Sequence, residues 1–211
     1  MRLGIFGTIA LIVSAGLAAA QQPAASTGQE GQLLPGQFRV YAVTGARAQF
    51  MHDFVVERDL DPTVAVIALQ TPTNPQDPLA VLLQKLNQFA AANKASRFGA
   101  FAIFLTLNKG FYEDPDRQKK VGDLESLNKQ LSLTDLPLGL ASPDAEPVKK
   151  YGIIAADDPL NASLKKHQVT VLVYNKHKVE KRFVFSEDKK LDEAGIRDIL
   201  AAAEKVLPAK K

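Results

Sequence analysis

The chain has 211 residues, 46% of them hydrophobic and 23% charged, with a formal net charge of +3. This is an ordinary globular balance, long enough to bury one sizeable core, and so mild a charge without a concentrated Lys/Arg stripe argues against nucleic acid as a partner. There is no cysteine, which excludes disulfides, thiol catalysis and cysteine-ligated metals and leaves stability to the core alone.

Arg2 is the only charge ahead of an apolar run at residues 3–17, which ends in Ala18-Ala19-Ala20. A basic start, an apolar middle and a small-residue ending are the parts of a secretory signal peptide, residues 1–20, cleaved after Ala20. The run is short and glycine-interrupted for a membrane span. The expected product is therefore periplasmic or secreted, with no membrane attachment after cleavage. Residues 21–36, rich in Gln, Gly, Ser and Ala, read as a disordered leader to a single domain at 37–208.

Within that domain, residues 37–44 alternate Phe38, Val40 and Ala42 against polar neighbours, the pattern of a strand. Residues 46–59 are mixed, a loop with a short helix. The β-branched run at 63–69 suits a strand covered on both faces. Pro72, Pro75 and Pro78 mark a loop, and Asp77-Pro78 opens a helix with Leu79, Leu82, Leu83, Leu86, Phe89 and Ala90 on one stripe. A second apolar strand, expected to be central, spans 98–106. Residues 116–131 read as a solvent-facing helix with Val121, Leu124, Leu127 and Leu131 on one side. A short strand at 136–141 and a helical turn at 147–151 follow. Strands at 169–174 and 179–185 flank Asn175-Lys176-His177-Lys178 as a β-hairpin. Ile196, Ile199, Leu200, Ala203, Val206 and Leu207 form a closing amphipathic helix. Strands alternating with helices predict an α/β layer fold: a mixed central sheet, flanked by helices, with the closing hairpin as an antiparallel edge.

A β-α-β half followed by a β-β-α half resembles the thioredoxin-like superfamily. The segment from Leu138 to Asp144, followed by Lys149-Lys150-Tyr151-Gly152-Ile153, is similar to peroxiredoxin-type (AhpC/TSA-like) proteins, as is the strand pair around residues 169–179. The resemblance covers roughly residues 38–207 and implies a thioredoxin-like sandwich. It also implies a Cys-x-x-Cys, or a single cysteine, at a helix N-terminus soon after the first core strand, where the helix end favours a thiolate. A cis-proline is implied just before the strand facing it. Counting back from Pro62 sets the thiol slot at Asp53-Phe54-Val55-Val56, and the proline position falls at about Val169. Both halves of the redox site are missing, so the resemblance implies a member with a degenerate redox site. Asp53 would then be a carboxylate capping the helix end that a thiolate once served.

His52 and Asp53 invite a catalytic reading. Neighbours on a helix diverge by about 100°, however, and no serine stands in a G-x-S-x-G setting to complete a triad. A helix cap beside a surface histidine is the simpler reading. The candidate binding residues are His52, Asp53, Phe111 and Tyr112. The last two follow Lys109-Gly110 at the C-terminal end of the central strand, where α/β sheets bind ligands, and they could join Phe50, Met51 and Phe54 around a shallow pocket. His52, His167 and His177 lack ligand spacing, and Asp157-Asp158 with Asn161 lacks the pattern of a calcium loop, so neither a metal nor a cofactor is expected. Lys165, Lys166, His167, Lys176, His177, Lys178, Lys181 and Arg182 cluster around the hairpin, either to meet an anionic partner or to guard a sheet edge. The function expected is that of an exported, non-catalytic binding or interaction module for a protein or small-molecule partner. The alternatives are an enzyme of cysteine-free chemistry around His52 and Asp53, and a scaffold acting through the basic hairpin at 165–182.

Overall fold

The computed structural model describes residues 28–105, 114–143, 145–153 and 168–209. Phe111 and Tyr112, the 1–20 segment, residues 157–161, and Lys165, Lys166 and His167 lie outside them. The elements run β1 (Arg39–Ala42), β2 (Met51–Asp53), α1 (Phe54–Arg58), β3 (Thr63–Ala68), α2 (Pro78–Ala92), a 3₁₀ turn (Lys94–Ser96), β4 (Gly99–Leu105), α3 (Arg117–Leu131), β5 (Leu138–Ala141), α4 (Glu146–Lys150), β6 (Val169–Asn175), β7 (Lys178–Phe185) and α5 (Glu193–Lys205). None of the helices among the described residues is long and apolar enough to cross a membrane.

The seven strands form one sheet in the order β2-β1-β5-β4-β3-β6-β7, which places β4 at its centre. Strands β3, β4 and β5 are parallel to one another, and β6 and β7 add antiparallel neighbours beyond β3. β3 and β4 read as unbroken apolar runs because both of their faces are covered. Val64, Val66, Ala68, Ala100, Ala102 and Phe104 face the layer of α2, α3 and α5. Ala65, Ile67, Phe101 and Ile103 face a second layer made by Phe38, by Phe54 and Val55 of α1, and by Val148 and Tyr151 around α4.

The helix stripes pack as their periodicity requires. Leu79, Leu82, Leu83, Leu86 and Ala90 of α2 are buried, as are Ile196, Ile199 and Ala203 of α5. Each buried leucine or isoleucine contributes about 1.5–3 kcal/mol. α5 starts where Asp192 Oδ1 accepts from the Gly195 amide at 2.7 Å. Gly139 in β5 is required by close approach: a Cβ there would sit 2.9 Å from both Phe54 and Val40.

Three features depart from the sequence reading. β1 does not join the parallel set; it pairs antiparallel with β5 and with β2. β2 itself is only three residues long, too short to show alternation. The hairpin loop is also tighter than the four residues expected, since Asn175 pairs with Lys178. Lys176 and His177 alone make the turn, both left-handed at φ 51° and 61°, the conformation a two-residue hairpin needs to match strand twist.

The third departure concerns the leader. Composition placed residues up to 36 in a disordered stretch, but residues 28–36 are docked. The Gly31 amide donates to the Val179 carbonyl, the Val179 amide to Gln32, and the Leu34 amide to His177, each at 2.7–2.8 Å. The Leu34 side chain is buried, and the Tyr151 hydroxyl donates to the Gly36 carbonyl at 2.6 Å. Backbone pairing to the β7 edge needs no apolar periodicity, so composition carries no trace of it.

Candidate functional site

The helix that follows the first core strand is α2, since β3 is the strand that pairs with both β4 and β6. The chain leaves β3 at Ala68, turns through Pro72 and Pro75 and enters α2 at Asp77-Pro78. Asn74 Oδ1 accepts from the Gln76 amide at 2.9 Å and the Asn74 carbonyl accepts from the Asp77 amide at 3.2 Å, so the approach to the helix is folded on itself. Asp77 Oδ1 accepts from the Leu79 amide at 2.8 Å, and Pro78 stands where an amide donor would go unused. The carboxylate also meets the positive end of a 15-residue helix.

This corner faces the start of β6. The Leu69 amide donates to the Gln168 carbonyl at 3.0 Å. A cavity of about 320 Å³ lies between the two segments, with Thr71, Thr73, Asp77, Gln168, Val169 and Lys190 on its wall. The strand order therefore brings together the α2 start and the Val169 position, the two places at which the resemblance puts thiols and proline. Asp77-Pro78-Leu79-Ala80 occupies the x-spaced slot at the helix N-terminus, with Ala80 fully buried behind it.

The assignment of that slot to Asp53-Phe54-Val55-Val56 is corrected by this topology. Asp53 ends β2, the outermost strand on the other side of the sheet, with β1, β5 and β4 between it and β3. Asp53 is nonetheless a helix cap. Its Oδ1 accepts from the Val56 amide at 2.9 Å and caps α1, while its Oδ2 is buried without a hydrogen-bond partner. His52 does not turn toward Asp53. Its Nε2 lies 2.7 Å from Glu57 Oε2, and its ring packs edge-on against Phe54 at 5.5 Å. Among the described residues no cluster of three or more potential ligands could hold a metal ion. Phe111 and Tyr112 lie outside the described residues.

Tyr151 and Tyr174 are buried beneath the same face as Asp53. Burial raises both phenol pKa values well above the ordinary range, and the negative charge of Asp53 pushes in the same direction. Both phenols are neutral, and that of Tyr151 donates to the Gly36 carbonyl.

The basic hairpin is less open than its sequence suggests. The Arg182 guanidinium turns inward: Nη1 donates to the carbonyls of Gly28 and Tyr151 at 3.1 and 2.9 Å, and Nη2 to Gly152 at 2.9 Å. Burial lowers its pKa. Lys181 pairs with Glu30, and Lys178 with Glu180.

No protein-family model matches the chain, and no curated protein sequence does. Solved structures do. A putative thiol:disulfide interchange protein DsbE from Chlorobium tepidum superposes with a TM-score of 0.52 at 18% identity, over 83% of this chain and 98% of that one. A putative protein disulfide isomerase from Bacteroides thetaiotaomicron gives 0.53 at 11%, over 85% and 90%. A 1-Cys peroxiredoxin of yeast mitochondria gives 0.53 at 14%, over 87% and 82%. The fold is thioredoxin-like. Identities this low carry the architecture alone, and the mixed seven-stranded sheet with flanking helices agrees with it. What separates this thioredoxin-like chain from enzymes that exchange disulfides is its own composition, which has no cysteine anywhere.

Asp77 is the residue that sequence reading passed over. In the sequence it stands only as a helix cap. The signal was present: Asp77-Pro78 opens the helix that follows an apolar core strand, the place at which the resemblance implies a thiol.

Proposed function

We propose that this is an exported, non-catalytic thioredoxin-like protein that binds a partner without turning it over. The observation that carries the reading is the state of the α2 N-terminus. Its carboxylate is already engaged in its own helix cap, and no thiol or other nucleophile stands in the slot. The corner keeps a cleft but has lost the chemistry, which leaves recognition as its use. Export is supported by the Arg2, apolar run and Ala18-Ala19-Ala20 sequence. The enzyme reading around His52 and Asp53 has no support in the geometry, because the histidine is tied to Glu57 and the aspartate to a backbone amide. A scaffold acting through the hairpin loses Arg182, which is committed to three carbonyls.

Two measurements test this. Intact mass of the exported protein should correspond to a chain beginning at Gln21; a mature chain that retains Met1 contradicts export by this signal. The cleft is tested by amide chemical-shift mapping with an unfolded, thiol-blocked polypeptide as probe. The expected result is saturable shifts confined to Gln70–Thr73 and Gln168–Val169, with the mass of the probe unchanged. Absence of shifts there, or a covalently altered probe, contradicts the reading.

A further inference from the structure

At the opposite end of the parallel strands from Asp77 lies a second cavity, of about 400 Å³. It sits where the chain enters β4 and β5 and where α1 and α2 end. We propose that it is a binding site for a small organic oxyanion, a carboxylate or a phosphate monoester, held by the guanidinium of Arg58.

Four cations line the cavity, Arg47, Arg58, Lys94 and Arg97, against three carboxylates, Glu57, Asp61 and Asp135. Each carboxylate already has a contact partner. Glu57 holds His52 at 2.7 Å, Asp61 holds Arg97 Nε at 3.1 Å, and Asp135 holds Lys94 Nζ at 2.6 Å. Lys94 keeps the Asp135 carboxyl below its ordinary pKa, with a smaller contribution from Arg58. Among the described residues, neither Arg47 nor Arg58 has a carboxylate in contact. The cavity thus presents two guanidinium groups with open donors.

Arg58 also has room made for it. Its side chain lies across Gly99, the first residue of β4, with Cδ, Nε and Cζ only 2.7–2.8 Å from where a Cβ would be. The missing side chain at Gly99 makes a berth that only glycine leaves free. The guanidinium lies along the start of β4, and its planar fork matches a carboxylate or phosphate with two parallel hydrogen bonds. Phe54, Phe98 and Pro137 on the same wall supply an apolar side. The cavity has the size of a small-molecule site, larger than an inorganic ion requires. This site is independent of the cleft at Asp77, so the failure of either leaves the other standing.

The test is a titration of the mature protein with inorganic phosphate and, separately, with benzoate. It is run at constant ionic strength against chloride and read by the amide shifts of Arg97, Gly99 and Asp135. Saturable shifts with either probe are expected. A tighter fit for benzoate assigns a carboxylate ligand and a tighter fit for phosphate assigns a phosphate ester. Arg58→Gln should weaken binding by about tenfold or more, the scale of one charged bidentate contact. Arg58→Lys, which keeps the charge and loses the fork, and Gly99→Ala, which dislodges the guanidinium, should each weaken it several-fold. Those two variants carry the test if Arg58→Gln does not fold. Arg197→Gln, an exposed cation on α5, should leave binding unchanged. Non-saturating shifts that match chloride, or equal affinity in all the Arg58 and Gly99 variants, overturn the proposal.

Discussion

Removing the Arg182 side chain should destabilise the protein more than its position on an edge strand suggests. The guanidinium donates three hydrogen bonds to backbone carbonyls, those of Gly28, Tyr151 and Gly152. It thereby ties the docked leader and the end of α4 to β7. Hydrogen bonds from a charged donor contribute about 1.5–3 kcal/mol each when deleted, and a buried acceptor left unpaired costs about 1–3 kcal/mol. The three do not add fully. The Gly28 end can detach and rehydrate, and a carbonyl tolerates one missing donor better than an amide tolerates a missing acceptor. Arg182→Ala should therefore cost about 2–4 kcal/mol. In a domain of this length that lowers Tm by roughly 2–4 °C per kcal/mol. Urea denaturation followed by far-UV circular dichroism measures it, with the midpoint shifting at nearly constant m. Arg182→Lys should recover less than half of the loss, because a single ammonium cannot span carbonyls on two segments. A loss below about 0.5 kcal/mol for Arg182→Ala, the range of an ordinary surface change, would refute the clamp.

Three further outcomes follow from particular contacts. Leu83→Ala in α2 and Ile199→Ala in α5 remove fully buried side chains and should each cost about 2–5 kcal/mol in the same denaturation assay; small losses in both would mean that the helix stripes do not face the sheet. Lys176 holds φ at 51° in the hairpin turn with its side chain in solvent, so Lys176→Asn, better suited to that region, should raise stability by about 0.5–1 kcal/mol, and an unchanged or lower midpoint would count against the two-residue turn. Asp135 has its pKa depressed by Lys94, so its ion pair stabilises the fold above the unfolded-state value of about 3.9 and loses that contribution as pH falls through the lower folded value. The stability gap between wild type and Asp135→Asn, measured by urea unfolding from about pH 2 to 7, should therefore close at the acid end, and a gap that widens on acidification would contradict the pairing.

Where the fold was legible in the sequence, the reason is burial on two faces or on one stripe. The runs that became β3 and β4 carry no polar residue to interrupt them, and α2 announces itself by Asp77-Pro78 and its leucines. What escaped was structure held by backbone or by single long side chains. β2 is three residues whose identities mean little until β1 lies beside them. The docked leader is built from amide-to-carbonyl pairs and the inward turn of Arg182, and a lysine- and arginine-rich hairpin reads as solvated until one of its cations proves to be half-buried. The slot error had a different origin. Met51 to Val56 offers a carboxylate and an apolar residue at the right spacing just ahead of a strand, so the local pattern was satisfied. Only the strand order, with β3 as the first core strand and α2 as the helix after it, shows that the pattern lies on the wrong side of that strand.

That placement is tested most directly by putting thiols back. Asp77→Cys/Ala80→Cys introduces a Cys-x-x-Cys at the α2 N-terminus, and Asp53→Cys/Val56→Cys introduces the same spacing at α1 as a control. Free-thiol titration and mass spectrometry after mild oxidation report whether each pair closes, and the pH dependence of alkylation reports the pKa of the first thiol. The Asp77 pair should form an intramolecular disulfide, and the thiol at position 77 should titrate below the ordinary value of about 8.5 because it sits on the positive end of a long helix, while the control pair should show no such depression. An undepressed thiol at 77, or a depressed one at 53 instead, would contradict the assignment of Asp77 to the thiol position that the resemblance implies.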